Sequence, residues 1–446
     1  MASQGASPTE ETSAPAPDLA QAEADYERFV WEKLPRNFAG HFLHGMLGMT
    51  GFRLFNAPTF LPAYLYLLSG SAFVVGLGQS LQQLGGVVSP VIGATQIEHR
   101  KRVLPVAMLM GTLMRIQILG VALAGFFLHG QALLIAVLAF LFLLGLFSGP
   151  QQVAFQLLLA KVIPISRRGL LQAVRNVTGG AIAAALAWVA GHYIIQRNLF
   201  GNGYGTTFLL AFVLTSLGLT ALRILMREPE PPTTRAKSRL ADRVREFPVL
   251  LTQDRGFMYF MIAQTLATTA RVAAPFYILF AGRSMALDGK NLGLVSLAFL
   301  GADTVTNLGW GLAGDRFGFR VAFIASLVFW IAATALLMAA PVVRTGLDAR
   351  TLIFMAFFGL GAAQSGFLMS SQTMVLEFGA RDDMAMRLAL TSTAQGAMSA
   401  IGPLAGGLIA ATLGYEVLFG VSIGFLTTAL VILLTLVEEP RFRGVA

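Results

Sequence analysis

The sequence contains no cysteine and little charge. Because none of its 446 residues is Cys, it can form no disulfide, thiolate metal site or thiol nucleophile. Only 12% of the residues are charged, against about 25% in an ordinary soluble domain. Hydrophobic residues make up 55%, and the mean hydropathy is +0.68. These values exclude a soluble globular protein and indicate a chain that crosses a membrane many times.

Three further absences narrow the class of protein. Residues 1–37 lack the apolar core of a signal peptide and are rich in Ala, Pro, Glu and Thr, so we expect a flexible cytoplasmic tail. The phosphate-binding loop GxxxxGK[ST] does not occur, which removes the main route to an ATP-driven pump. No His/Glu set has metal-ligand spacing. We therefore expect no enzyme, no cofactor and no metal site.

Apolar runs of membrane-spanning length recur along the chain. A hydrocarbon core about 30 Å thick requires roughly 20 apolar residues per helix. On this measure the predicted spans are 38–64, 72–97, 103–128, 132–159, 169–194, 206–226, 256–281, 291–314, 320–341, 351–377, 384–411 and 415–437. The sequence therefore predicts an all-α polytopic membrane protein with twelve transmembrane helices.

Basic residues concentrate in alternate loops between these spans. Arg100–Arg102, Lys161–Arg168, the linker 227–255 and the tail 438–446 lie on one side if residues 1–37 are cytoplasmic. The positive-inside rule then predicts that both termini are cytoplasmic, in a plasma membrane such as the bacterial inner membrane. The same bias accounts for the net charge of +9 without nucleic acid.

The polar, proline-led linker 227–255 divides the chain into two parts, 38–226 and 256–437, that share landmarks. Arg53 corresponds to Arg271 and Gly93 to Gly311, each 218 residues later. The pair Ala57-Pro58 recurs as Ala274-Pro275 after 217 residues. Each part also ends with a similar tripeptide, Arg227-Glu228-Pro229 in the first and Glu438-Glu439-Pro440 in the second. Landmarks in one order at a nearly constant offset indicate a duplication. We expect two parallel six-helix halves.

The stretch 311–320, GLAGDRFGFR, separates two apolar runs. Its glycines allow a tight turn between two helices, and Asp315, Arg316 and Arg320 place fixed charge where the chain leaves hydrocarbon. This composition predicts a short charged loop that serves as a hinge.

The spacing Gly-x-x-x-Asp-Arg-x-Gly-x-Arg resembles the signature loop of the major facilitator superfamily, which joins the second and third helices of a six-helix half. Its N-terminal copy is degraded: Gly93 is followed by Glu98 one place later than the family's acidic residue, and the second glycine is missing. With the twelve spans and the repeat, the resemblance covers nearly the whole chain. It implies gating loops that include Gly93, Glu98, Arg102, Gly311, Asp315, Arg316, Gly318 and Arg320.

Arg53 and Arg271 lie inside the first and seventh spans, each 15 residues from the start. A charged side chain at a helix centre costs at least about 2.5 kcal/mol in lipid, so such residues usually mark a polar cavity, a partner or a function. The resemblance implies that the two guanidinium groups face each other across the substrate path, as in the organophosphate antiporters. Their planar fork suits a carboxylate or phosphate. The alternative is structural: each arginine could bond carbonyls freed by Pro58 or Pro275, or pair with an acid on the next helix.

Asp303 is the one clearly mid-membrane carboxylate of the predicted spans, with Asn307 one turn away. By helical rise it lies about 18 Å from the cytoplasmic end of its span, at a depth near that of Arg271. A desolvated carboxylate beside a movable arginine could take up and release a proton during transport. A fixed salt bridge is the alternative.

Amide side chains line the spans that the resemblance places around the cavity. Gln152 and Gln156 follow Ser148 at helical spacing, and Gln364 and Gln372 flank Ser371. They could contact a substrate or form interhelical hydrogen bonds. The predicted substrate-contact residues are Arg53, Asn56, Gln152, Gln156, Arg271, Gln364 and Gln372.

The resemblance implies a secondary transporter that moves a small solute by alternating access, and the arginines favour an organic anion as the substrate. We expect a coupling proton and the lipid bilayer as further partners, no nucleic acid, and a monomer. One alternative is efflux of a neutral or amphiphilic compound, such as a drug or sugar. Another is a lipid-handling protein on the same scaffold. Because 132–159 contains no Arg and 169–194 no Pro, the motifs of the drug/proton antiporters are missing.

Overall fold

The computed structural model describes residues 19–97, 100–230, 254–342, 348–378 and 384–439, and the regular secondary structure in these ranges is helical. The first part of the chain forms α1 (Leu19–Phe55), α2 (Phe60–Ser69), α3 (Ala72–Ile97), α4 (Leu104–Phe127), α5 (Gly130–Val162), α6 (Ile165–Val189) and α7 (Gly203–Leu225). The second part forms α8 (Arg255–Ala270), α9 (Tyr277–Ala281), α10 (Gly289–Phe317), α11 (Phe319–Ala339), α12 (Ala349–Glu377), α13 (Met384–Thr412) and α14 (Tyr415–Thr435). A π-helical segment, Ala190–Ile195, extends α6.

Within the described residues, nine helices are long and apolar enough to cross a membrane: α4 to α7 and α10 to α14. Their bounds follow the apolar runs of the sequence closely. The other three predicted spans correspond to α1 with α2, to α3, and to α8 with α9. Helix α3 contains several polar residues, and each of the other two spans is divided into two helices. The total of twelve transmembrane helices therefore stays a prediction.

Both interruptions fall at the recurring Ala-Pro pair. The chain leaves the helix between the end of α1 at Phe55 and the start of α2 at Phe60, around Pro58. In the second part, a 3-10 turn over Arg271–Phe276 containing Pro275 separates α8 from α9. Proline lacks the N–H that would continue the helical ladder and clashes with the preceding turn. The two parts of the chain therefore break corresponding helices at corresponding places.

The first helix begins earlier than the sequence predicts. It starts at Leu19, within the expected flexible tail 1–37, whose residues 1–18 lie outside the described ranges. The Tyr26 hydroxyl donates to the Lys161 carbonyl at 2.9 Å, and the Asn37 amide bonds the backbone of Arg227 in both directions. These contacts fix the start of α1 against the ends of α5 and α7.

Helix pairs join the two parts of the bundle. In the first part α1 packs on α7, and α3 packs on α5. In the second part α10 and α11 both pack on α12. The two parts meet where α3 packs on α13 and α6 packs on α10. We call the end of the bundle at which α1 begins and α14 ends the terminal end, and the other the distal end.

At the distal end the connecting helices meet backbone to backbone. A side chain on Gly191 would collide with the backbone of Gly289 and Gly293, and a side chain on Gly76 with the backbone of Pro403 and Gly407. The Lys290 N–H also donates to the Gln196 side chain at 3.1 Å. The two parts are therefore tightly closed at this end.

The stretch 311–320 is not the ten-residue loop that its composition predicts. Helix α10 continues through Phe317 and α11 starts at Phe319, so Gly318 alone makes the turn. Its φ of +89° favours glycine, and a side chain there would also collide with the Glu439 carboxylate. Gly314 remains helical and leaves room for the Phe319 ring, so this glycine serves packing.

Candidate functional site

Arg53 lies in the last turn of α1, just before the break at Pro58. Its Nη1 is 2.8 Å from Oδ2 of Asp303 and donates to the Thr304 hydroxyl at 3.2 Å, both on α10. Asp303 and Thr304 are buried. Gly180 of α6 provides the space, because a side chain there would collide with Thr304 and crowd Arg53. This ion pair joins the two parts of the bundle.

Arg271 occupies the corresponding position at the end of α8 but has a different environment. Its guanidinium carbon lies 5.6 Å from the centre of the Phe367 ring on α12. Within the described residues, no hydrogen bond or ion pair reaches the Arg271 side chain. Arg271 is half-buried as a residue, and the face of the Phe367 ring is the one contact within the described residues that offsets its charge.

The two arginines therefore do not form the symmetrical clamp that the sequence suggests. Arg53 forms an ion pair with an acid of another helix, which is the structural alternative considered for it. The depth of Asp303 in its span had suggested Arg271 as the partner of this carboxylate. Neighbouring Asn307 donates to the Ser365 hydroxyl at 3.0 Å.

The predicted amide residues fall into two groups. Asn56 is exposed at the break in the first span, and its side-chain oxygen accepts from Gln82 at 2.9 Å. The side chains of the other four have no hydrogen bond within the described residues: Gln152, Gln156 and Gln372 are exposed and Gln364 is partly exposed. These four retain their full hydrogen-bonding capacity.

The predicted gating residues of the second part lie at the terminal end. Arg320 donates through Nε and Nη2 to the carbonyls of Leu433 and Leu434, and its N–H donates to Glu439 at 3.1 Å. Arg316 lies over the neighbouring Phe317 ring. Gly311 and Asp315 are in α10, Asp315 in its last turn.

The first part has a similar arrangement around Arg102. That side chain pairs with Glu230 at 2.9 Å, and the carboxylate of Glu228 accepts from the N–H groups of Val103 and Leu104 at 2.7 and 2.8 Å. Gly93 lies in α3, and Glu98 lies outside the described residues.

Sequence reasoning missed Arg175, which lies within the predicted span 169–194. A search of every span for ionised side chains would have found it. Arg115, which the sequence leaves unexplained, donates to the carbonyls of Thr215 and Gly111, both at 2.7 Å. The described residues hold no group of three or more His, Asp or Glu side chains that could bind a metal ion.

A cavity of about 540 Å³ opens at the distal end, lined by residues that include Tyr66, Tyr204 and Asp288. None of the predicted substrate-contact residues lines it, so it does not locate the site.

The nine long apolar helices among the described residues are those of a polytopic membrane protein. Residues 256–445 match the sequence profile of the Major Facilitator Superfamily. No curated protein gives a significant match to the sequence. The profile match covers 190 of the 446 residues, so the second part of the chain is similar to this superfamily.

Solved structures share this fold at low sequence identity. A mutant of the nucleoside transporter NupG is 13% identical with a TM-score of 0.71, and the match covers 90% of this chain and all of that one (100%). A D-xylose-proton symporter is 14% identical with a TM-score of 0.65 and coverage of 92% and 98%. A mutant of the peptide transporter POT in complex with sulfate is 13% identical with a TM-score of 0.67 and coverage of 89% and 93%.

Proposed function

We propose that this protein is a secondary transporter that moves a small organic anion by alternating access, with Arg271 binding the anionic group. The observation that carries the proposal is the Arg271 guanidinium at the break between α8 and α9, which has no ion pair or hydrogen bond within the described residues. An ionised side chain at this depth needs compensation, and the described residues provide only the Phe367 ring. A carboxylate or phosphate would complete its coordination through the planar fork.

The position of Arg271 supports a substrate role. In secondary transporters, discontinuous helices at corresponding places of the two repeats mark the substrate site near the middle of the bilayer. Here the breaks at Pro58 and Pro275 form such a pair. Gln364, one turn from Phe367 on α12, would supply a hydrogen bond to the substrate.

We assign a different role to Arg53 and Asp303. Because their ion pair joins the two parts of the bundle, it would act as a latch that must open when the parts move against each other. Protonation of Asp303 would remove the charge that holds Arg53 and would favour opening. This assignment couples a proton to transport.

The solved structures lend support at the level of ligand chemistry. A POT peptide transporter binds sulfate in its crystal structure, and a POT family transporter is seen in complex with 5-aminolevulinic acid. The D-xylose transporter is described as a proton symporter. By analogy we extend anion binding and proton coupling to this chain.

The proposal includes an arrangement in the membrane. It assumes twelve spans in two six-helix halves, 38–226 and 256–437, joined by the linker 227–255. Both termini would be cytoplasmic, in a bacterial inner or other plasma membrane, because the basic loops lie on that side. The protein would act as a monomer, since each chain contains both halves of the path.

A neutral solute is the second candidate, because four amide side chains on α5 and α12 have no partner within the described residues. Such groups could bind hydroxyl groups, and the similar structures include nucleoside and D-xylose transporters. In this case Arg271 would be structural.

Proteoliposomes containing the purified chain would separate these candidates. We expect uptake of small carboxylates or phosphorylated compounds and little uptake of neutral analogues of the same size. Arg271→Gln should remove anion uptake, whereas Arg223→Gln, at an exposed position on α7, should preserve it. Equal uptake of neutral analogues, unaffected by Arg271→Gln, would favour the second candidate.

The proton role needs its own variant. Asp303→Asn should abolish uptake driven by a pH gradient while exchange of substrate across the membrane continues. If pH-gradient-driven uptake is unchanged in Asp303→Asn, the coupling role of Asp303 is wrong.

A further inference from the structure

A short pattern recurs on α5 and α12. Gln152 and Phe155 have the same spacing as Gln364 and Phe367. An arginine guanidinium lies over the ring of each phenylalanine. The guanidinium carbon of Arg175 lies 5.8 Å from the centre of the Phe155 ring, compared with 5.6 Å for Arg271 and Phe367. The two arginines come from different helices, since Arg175 is on α6.

Arg175 fills a space made by α1. A Cβ atom on residue 45 would coincide with the Arg175 side chain, so Arg175 keeps this position only while residue 45 is glycine. The Arg175 Nε atom is buried and has no hydrogen-bond partner. As with Arg271, no carboxylate contacts the Arg175 guanidinium within the described part of the chain.

Two histidines of α1 pack on the same ring. The centres of the His41 and His44 rings lie 5.0 and 4.9 Å from the centre of Phe155. His41 is 0% exposed, yet neither of its ring nitrogens has a hydrogen-bond partner, and Nδ1 of His44 also lacks one. Buried polar atoms are normally satisfied, so an unpartnered group of this kind requires an explanation.

Two other buried arginines show what a structural arginine looks like in this fold. Arg115 donates to two backbone carbonyls, and Arg387 pairs with Asp254 at 2.8 Å. Both are compensated by oxygen atoms of the protein. Within the described residues, the Nε–H of Arg175 and the ring N–H of His41 have no acceptor, which is the complement of an oxyanion, whereas the His44 ring already bonds the Gly218 backbone.

We propose that Arg175 and His41, which pack with His44 around the Phe155 ring, form a second anion-binding position, on the terminal side of Arg271, that takes a carboxylate or phosphate group. Arg175 lies about 15 Å along α6 from the terminal end, whereas Arg271 lies about 24 Å along α8 from the same end. An anion moving between the terminal end and Arg271 would meet Arg175 first. As a step in transport, this position rests on the proposed anion substrate.

Inorganic phosphate can probe this position directly. We would titrate phosphate into the purified full chain and into Arg175→Gln, Arg271→Gln and the control Arg223→Gln, and measure binding by calorimetry. We expect wild type and Arg223→Gln to bind phosphate at two positions. Removing either of the other arginines should weaken binding at one of them by about tenfold or more and leave the second intact.

Two further variants test the position if Arg175→Gln folds poorly. Arg175→Lys keeps the charge and should retain weakened binding, because it loses the planar fork. Gly45→Ala should displace Arg175 and reduce phosphate binding without changing Arg271. Identical phosphate binding in wild type, Arg175→Gln and Gly45→Ala would overturn the inference.

Transport assays distinguish this inference from the proposed function. If phosphate at the second position competes with the transported anion, and Arg175→Gln relieves the competition, the position belongs to the substrate path. If phosphate alters the rate without competing, the position binds a free anion. If Arg271→Gln leaves transport unchanged while Arg175→Gln still removes one phosphate site, only the proposed function fails.

Discussion

The two parts of the molecule share a scaffold but differ in the chemistry at its centre. Both break a helix at an Ala-Pro pair, and both place an arginine beside the break. Arg53 is held by Asp303 from the other part of the bundle, whereas the contact of the Arg271 guanidinium among the described residues is the ring of Phe367. Under the proposed function this difference corresponds to two roles: the Arg53–Asp303 pair holds the two parts together, and Arg271 binds the substrate.

The terminal end preserves the symmetry that the centre has lost. Glu228 follows α7 and caps the start of α4, while Glu439 follows α14 and accepts from the N–H at the start of α11. Glu228 therefore ties the end of α7 to α4, and Glu439 ties the end of α14 to α11. Similar structural contacts therefore occur at the terminal end of both parts, whereas the environments of the two central arginines differ.

The largest expected effect is a difference in stability between variants of Arg53 and Arg271. Arg53→Gln should lower the free energy of unfolding by about 3 kcal/mol, because it leaves the buried Asp303 carboxylate unpaired. Arg271→Gln breaks no ion pair and should change stability little. Thermal unfolding of the two purified variants measures this difference.

A double variant is the control for this prediction. Combining Arg53→Gln with Asp303→Asn should recover much of the lost stability, since no charge is left unpaired. Equal losses for Arg53→Gln and Arg271→Gln would remove the distinction between latch and substrate anchor.

Closure at the distal end can be tested with matched glycines. Gly191→Ala should destabilise the closed arrangement by about 1 to 3 kcal/mol, because the methyl group meets the backbone of Gly289 and Gly293. Gly301→Ala on α10 is the control, with no atom within 4 Å of the added carbon.

The absence of cysteine gives this test a clean readout. Ser296→Cys places a single thiol at a buried position between the two parts, where Ser296 contacts Thr59. Maleimide labelling should be faster with Gly191→Ala than with Gly301→Ala. Equal labelling rates would show that the glycine contact does not control closure.

A smaller effect is expected at the terminal end. Asp315→Ala removes a charge from the last turn of α10 beside the Gly318 turn, and should change turnover by about two- to fivefold. Substrate affinity should change less, because the residue lies far from Arg271. Asp348→Ala, at the exposed start of α12, is the control. Lost affinity with unchanged turnover would place Asp315 in the binding site.

The smallest expected effect is a difference in substrate affinity between variants of Gln364 and Gln372 on α12. Gln364→Leu should weaken substrate binding by about fivefold, the equivalent of one intramembrane hydrogen bond of about 1 kcal/mol. Gln372→Leu, two turns further along the helix, should change affinity by less than about twofold. Equilibrium binding of the transported anion compares them, and a larger effect of Gln372→Leu would move the site towards the terminal end.

The sequence predicts most helix bounds because long apolar runs have one stable arrangement in a bilayer. It fails where a distant contact decides the outcome. The extension of α1 to Leu19 depends on a bond to Lys161, and the helical state of 311–317 depends on packing that the glycine pattern does not show. The pairing of Arg53 with Asp303 likewise joins residues 250 positions apart in the sequence. The position of a residue along its helix shows which charges lie at the same depth, but it does not show which of them form an ion pair.

The affinity of Arg271 variants for matched ligands tests the central claim most directly. Equilibrium binding would compare the best transported anion and its neutral analogue in wild type, Arg271→Lys and Arg271→Gln. We predict that Arg271→Gln weakens anion binding by about 10- to 100-fold, that Arg271→Lys weakens it less, and that binding of the neutral analogue is unchanged. Equal losses for both ligands, or no loss for the anion, would contradict the assignment of Arg271 as the substrate anchor.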